Sequence, residues 1–116
     1  MRHVERAGWT LEIPESHAER ARGLLGRDAL DPANALVLAR CRSVHTIGMH
    51  FPIDIVAFDG DWSFLDVRTL VPGRVAWPRT RVRNIVETAE GRGRSLSASL
   101  DGRTIREALG IAPRRT

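Results

Sequence analysis

"PIDIVAFDGDWSFLDVRTL", residues 52–70, sets the architecture. After Pro52, the residues Ile53, Ile55 and Ala57 alternate with Asp54, Val56 and Phe58. A period of two puts these sets on opposite faces of one strand. Asp59-Gly60 is a strong hairpin signal, and Trp62 to Leu70 reads as the returning strand. An antiparallel pair is therefore the unit from which the rest is built.

Upstream, Ala35 to Ala39 is a short apolar run bounded by turn residues, which predicts a buried strand. Trp9, Leu11 and Ile13 alternate with Thr10 and Glu12, so residues 4–13 are expected to form one half-buried strand ended by Pro14. Ser16-x-x-Glu19 is a capping box opening a short helix, with Gly26 as its stop. Gly23 inside so short a helix costs about 1 kcal/mol against Ala, so either the helix ends there or something packs closely on it. Downstream, Pro72-Gly73 makes a turn, Arg79 to Glu87 reads as a strand, and residues 90–93 as a loop. Residues 103–109 are open between a helix capped at Thr104-x-x-Glu107 and a last strand. The sum is five or six strands, mostly hairpin-connected. It predicts an α+β, β-rich domain with a mostly antiparallel, partly closed, barrel-like sheet and one or two short helices. One domain is expected over residues 1–110, with 111–116 a disordered tail.

The composition is that of a globular protein, 42% hydrophobic and 28% charged. No apolar run approaches the roughly 20 residues of a membrane span, and the first six residues lack the apolar stretch of a signal peptide. A single cysteine fits a reducing compartment. Together these predict a cytoplasmic location with no membrane partner. The net charge of +4 and pI near 11.1 suggest nucleic acid. All 18 basic residues are Arg, however, which inflates the pI.

Three stretches, "RARGLLGR" at 20–27, "VHTIGMHFPIDIVAFD" at 44–59 and "IVETAEG" at 85–91, occur in the order and spacing of a known family. The chain resembles the domain of unknown function 192 family over roughly residues 9–106. The resemblance implies a compact β-rich fold and no assigned activity. Two departures lie toward the C-terminus. The family's leucine-glutamate-leucine-proline-alanine-glycine strand is Val86-Glu87-Thr88-Ala89-Glu90-Gly91 here, and its Gly-Asp-x-Val is Asp101-Gly102-Arg103-Thr104.

The candidate chemistry centres on residues 41–54. Cys41, His45 and His50 form C-x3-H-x4-H. Zinc ligands must converge within roughly 4 Å, whereas Cys41 and His45 on an extended strand lie roughly 13 Å apart. A buried thiol is the plainer reading, and no metal or cofactor is assigned. Cys41, His45 and Asp54 could form a nucleophile, base and orienter, but no nucleophile elbow or helix start follows Cys41, and no catalytic residue is assigned. Asp54, on the face of Val56 and Phe58, needs a partner when buried. Arg22 and Arg27 are the natural ones, and a structural ion pair is the plainer reading. The functional alternative is a polar cleft in which Arg22, His45, Thr46 and Asp54 bind a small polar or anionic ligand or a protein partner. Met49 and Phe51 would form its apolar wall. A small enzyme using the same cluster, metal-assisted or Cys/His-based, is one alternative. Nucleic-acid binding is the other. There Arg79, Arg81 and Arg83 would alternate along one strand face near Arg74, at a repeat of roughly 6.6 Å, with Trp77 stacking a base. A charge-guarded edge strand is favoured over that last reading.

Overall fold

In the computed structural model, which describes residues 1–76 and 81–110, the hairpin forms as its pattern dictates. The chain runs β1 (Arg2–Arg6), β2 (Trp9–Ile13), α1 (His17–Arg22), β3 (Asn34–Leu38), β4 (Ile53–Phe58), β5 (Phe64–Leu70), β6 (Asn84–Ala89), α2 (Gly93–Ser99) and α3 (Gly102–Ala108). The strands make one sheet in the order β1-β2-β3-β6-β4-β5. Only β2 and β3 pair in parallel; the other neighbours are antiparallel. The α+β, β-rich class stands, and the described residues contain three helices. The barrel-like closure does not: β1 and β5 are free edges of an open mixed sheet.

Local differences have local causes. Residues 4–13 are not one strand. Ala7 and Gly8 take left-handed φ values of 49° and 83°, folding the stretch into the β1–β2 hairpin. The last strand starts at Asn84 rather than Arg79, so Arg81 and Arg83 precede it. Ser16 caps α1 as expected, its hydroxyl accepting from the Glu19 N–H at 3.1 Å. The helix stops at Gly23, where φ is 50°. At the C-terminal end the helical reading wins over the strand, with Asp101 rather than Thr104 as cap; its carboxylate accepts from the Thr104 N–H at 2.8 Å. The expected loop at 90–93 leads directly into α2.

The sheet carries a core on each face. On one, Trp9, Leu11, Val37, Val56, Phe58 and Val86 pack beneath Leu96 and Leu100 of α2 and Ile105 of α3. This face is packed closely. A Cβ on Gly102 would lie 1.6 Å from the Trp62 carbonyl oxygen. On the other face, Leu36, Leu38, Ile53, Ile55 and Ile85 are covered by loops carrying Leu24, Met49, Ala76 and Val82. Irregular chain covers a sheet less completely than a helix does, and here it leaves a cleft.

Candidate functional site

The cleft has a volume of about 230 Å³ and opens over the loop-covered face of β3 and β6. Three segments build it. The first is the end of α1 and the turn after it, bringing Arg20, Arg22 and Leu24. Arg20 ties this turn to the end of β3, donating through Nη2 to the Arg40 carbonyl at 2.8 Å. The second is the irregular chain from Cys41 to Met49, which carries His45. Its anchor is Thr46. The Thr46 hydroxyl donates to the Val71 carbonyl at 2.6 Å and accepts from the Arg74 N–H at 2.9 Å. His45 forms an isolated bridge with Val75. The third segment is the sheet itself, whose contribution is Glu87.

Glu87 stands on β6, between Leu36 of β3 and Ile55 of β4. Its alternation with Val86 and Thr88 turns it toward the loop-covered side. It is 5% exposed. Among the described residues no hydrogen bond or ion pair reaches its carboxyl, and burial alone pushes the group up to about 7. Among the described residues no fully enclosed side-chain polar atom lacks a partner, and Glu87 lines the cleft, so its carboxyl reaches the cleft. Its charge also acts on Cys41, whose thiol is raised mainly by burial and slightly by Glu87, against an opposing pull from Arg20. The Cys41 thiol donates to the Ser43 carbonyl at 3.2 Å. A thiol held protonated in this way is the opposite of an activated nucleophile.

Three of the five expected ligand-binding residues meet here: Arg22, His45 and Met49. Thr46 is fully buried as the loop anchor and does not line the cleft. Asp54 lies across the sheet from it, because its strand face is the one under α2 and α3. Its Oδ1 accepts from the Thr69 hydroxyl at 2.7 Å, and its Oδ2 accepts from the Gly93 N–H at 2.9 Å. Neither expected arginine is its partner. Arg27 instead makes a two-pronged pair with buried Glu12, at 2.6 and 3.1 Å, and Asn34 adds a third hydrogen bond. That pairing outweighs burial and holds the Glu12 carboxyl below its ordinary range.

The remaining candidates do not converge. No group of three or more His, Cys, Asp or Glu is placed to hold a metal ion among the described residues. His50 faces Asp28 at 3.3 Å on the exterior. Of the arginine face, Arg79 and Trp77 lie outside the described residues. Arg81 pairs with Asp59 at 3.5 Å, and Arg83 donates to the Val82 carbonyl at 2.8 Å. The regular strand repeat that would match phosphates is not formed by Arg81 and Arg83. A second depression, of about 420 Å³, is lined by Arg40, Arg42, Arg83 and Arg106 beside Trp62. It is larger, but no carboxyl side chain lines it among the described residues. No helix among the described residues is long and apolar enough to cross a membrane.

Glu87 was missed in the sequence. The signal available was a glutamate flanked by Ile85 and Val86 in a strand-like run, but alternation alone reads such a residue as solvent-facing.

A family model for DUF192, described as uncharacterized ACR, matches residues 2–103. None of the curated proteins matches the chain. Two crystal structures share its fold. One is of a protein of unknown function from Novosphingobium aromaticivorans DSM 12444, at 19% identity and a TM-score of 0.61. The match covers 96% of this chain and 77% of that one. The other is of a candidate transcription regulator from Sinorhizobium meliloti 1021, at 18% identity and a TM-score of 0.59. It covers 90% of this chain and 77% of that one. At these identities the likeness is one of fold.

Proposed function

The chain belongs to the DUF192 family, and we propose that within this fold it is a binding domain for a small polar molecule, taken up in the cleft floored by Glu87. The observation that carries this reading is the Glu87 carboxyl: almost wholly buried, without a partner among the described residues, and lining a cavity. A buried carboxyl with no compensating group destabilises a fold, and positions of this kind concentrate at functional sites. Arg22 and His45 supply polar groups at the mouth, while Leu24, Leu38 and Met49 supply an apolar wall. A few polar groups converging in an apolar setting is the usual make-up of a small-molecule site. The volume of about 230 Å³ lies below the roughly 300–1,000 Å³ of drug-sized pockets, which favours a metabolite-sized occupant over a protein segment. The raised Cys41 thiol argues for binding rather than Cys/His catalysis.

The test is a screen of small polar metabolites against protein labelled at methionine and leucine methyl groups, followed by NMR. The expected result is at least one compound that shifts the Met49 and Leu24 methyls and leaves Leu96, on the helical face, in place. If no compound moves Met49 or Leu24 at millimolar concentration, the cleft is not a binding site.

A further inference from the structure

The charges around the cleft are sorted by depth. Glu87 is the only acidic side chain among the described residues that line it, and it is at the floor. The basic groups, Arg20, Arg22 and His45, stand on the walls and mouth; Arg22 and His45 are exposed. One guanidinium nitrogen of Arg20 is already engaged by the Arg40 carbonyl, whereas no hydrogen bond or ion pair engages the Arg22 side chain among the described residues. The apolar lining is supplied by Leu24, Leu38, Val44 and Met49. A simple anion entering this cleft would meet the arginines and then Glu87. A simple cation would meet Glu87 only after passing the arginines. One class of ligand complements both ends.

We propose that the cleft takes a small zwitterion, an ammonium group directed to Glu87 at the floor and a carboxylate to Arg22 and His45 at the mouth, with an apolar body against Leu24, Leu38 and Met49. This rests on the cleft being the binding site. Among the described residues of the lining, the other acceptors for an ammonium group are backbone carbonyls, the Ser43 hydroxyl, the weakly accepting Cys41 sulfur and one ring nitrogen of a neutral His45, and a charge-assisted hydrogen bond to a carboxylate is stronger than any of these. The planar guanidinium of Arg22 is suited to two-pronged capture of a carboxylate.

The test uses isothermal titration at pH 7.5 with L-leucine, β-alanine and 4-aminobutyrate, which span different distances between amine and acid. Each is compared with its amine-free acid and its carboxyl-free amine. At least one zwitterion is expected to bind about tenfold or more tighter than either of its halves, the size of one charged hydrogen bond. Glu87→Gln should weaken that zwitterion about tenfold and leave the amine-free acid within about twofold. Arg22→Gln should weaken the zwitterion and the acid and spare the amine. Both variants are expected to fold, since Glu87→Gln relieves a buried carboxyl and Arg22 is exposed. If no zwitterion outbinds its halves, or Glu87→Gln leaves zwitterion affinity unchanged, the proposal is overturned. Binding by the acids alone, with Met49 shifted, would overturn it while keeping the cleft as the site. Silence of Met49 to every compound would remove both.

Discussion

Asp54 and Glu87 are acids on neighbouring strands, β4 and β6, 3% and 5% exposed. They differ in what surrounds them. Asp54 faces the helical layer, where the Thr69 hydroxyl and the Gly93 N–H each take one of its oxygens. Glu87 faces the loop layer, where no hydrogen bond or ion pair reaches it among the described residues. The first carboxylate organises structure: it pairs across the β4–β5 hairpin and holds the first residue of α2. Even the glycine there is part of the fit, since a Cβ on Gly93 would lie 3.0 Å from Asp54 Oδ2 and 2.7 Å from Val67 Cγ1. The second carboxylate stabilises nothing within the described chain. Burial by itself therefore does not mark a site; burial without a partner does.

Four changes sharpen or break this contrast. The largest effect is expected on the helical face. Gly102→Ala would drive a methyl group into the Trp62 carbonyl, which is backbone and cannot swing aside, and should lower stability by about 3 kcal/mol or more. Denaturant unfolding would show it; an unchanged midpoint would mean that this face is as loosely covered as the other. Next, Asp54→Ala strands a hydroxyl and an N–H and should lower stability by about 2–3 kcal/mol, with no change in ligand affinity. Loss of binding without loss of stability would reverse the roles assigned to the two acids.

Third, Glu87→Gln should stabilise, by an amount that grows as pH rises above the ordinary glutamate range and levels off near neutrality. The folded protein holds this proton more tightly than the unfolded chain does, with the group raised from 4.5 to about 7. Stability therefore declines as pH rises through that interval and stays lowered above it. At pH 8 the variant should be more stable by about 3 kcal/mol, and at pH 4 by almost nothing, since the acid is then mostly protonated in both states. Melting curves at the two pH values check the sign. Smallest of all, Arg81→Ala removes an exposed guanidinium 3.5 Å from the Asp59 carboxylate, which keeps its hydrogen bonds from the Asp61 and Ser63 N–H groups, and should change stability by less than about 0.5 kcal/mol.

Part of this contrast was legible in the sequence. The bounds of β4 followed from Pro52 and the alternation to Phe58, and so did the face that Asp54 occupies. Arg22 enters the expected site as a partner for Asp54, whereas His45 and Met49 lie in the unpatterned stretch before β4, and such chain is what covers the cleft. The partners of Asp54 were not legible, because one of them is a backbone N–H at the start of α2. That helix begins with glycine and carries three serines, which are poor helix formers, and only Leu96 and Leu100 mark its buried side. Arg27 was assigned to the wrong acid because Glu12 reads as an outward residue of a half-buried strand, whereas β2 lies inside the sheet between β1 and β3 and Glu12 is 2% exposed. Glu87 was hidden for the same reason. Strand β6 is last in sequence but sits between β3 and β4, so its alternate residues are buried on both faces. Only the strand order reveals that.

The most direct measurement is the titration of the Glu87 side-chain carboxyl by carbon-detected NMR, in the free protein and with a bound zwitterion. A carboxyl without a partner should titrate with a midpoint near 7 and shift downward when an ammonium group docks against it. A midpoint at the ordinary glutamate value in the free protein, or one that a bound zwitterion leaves unmoved, would contradict the account.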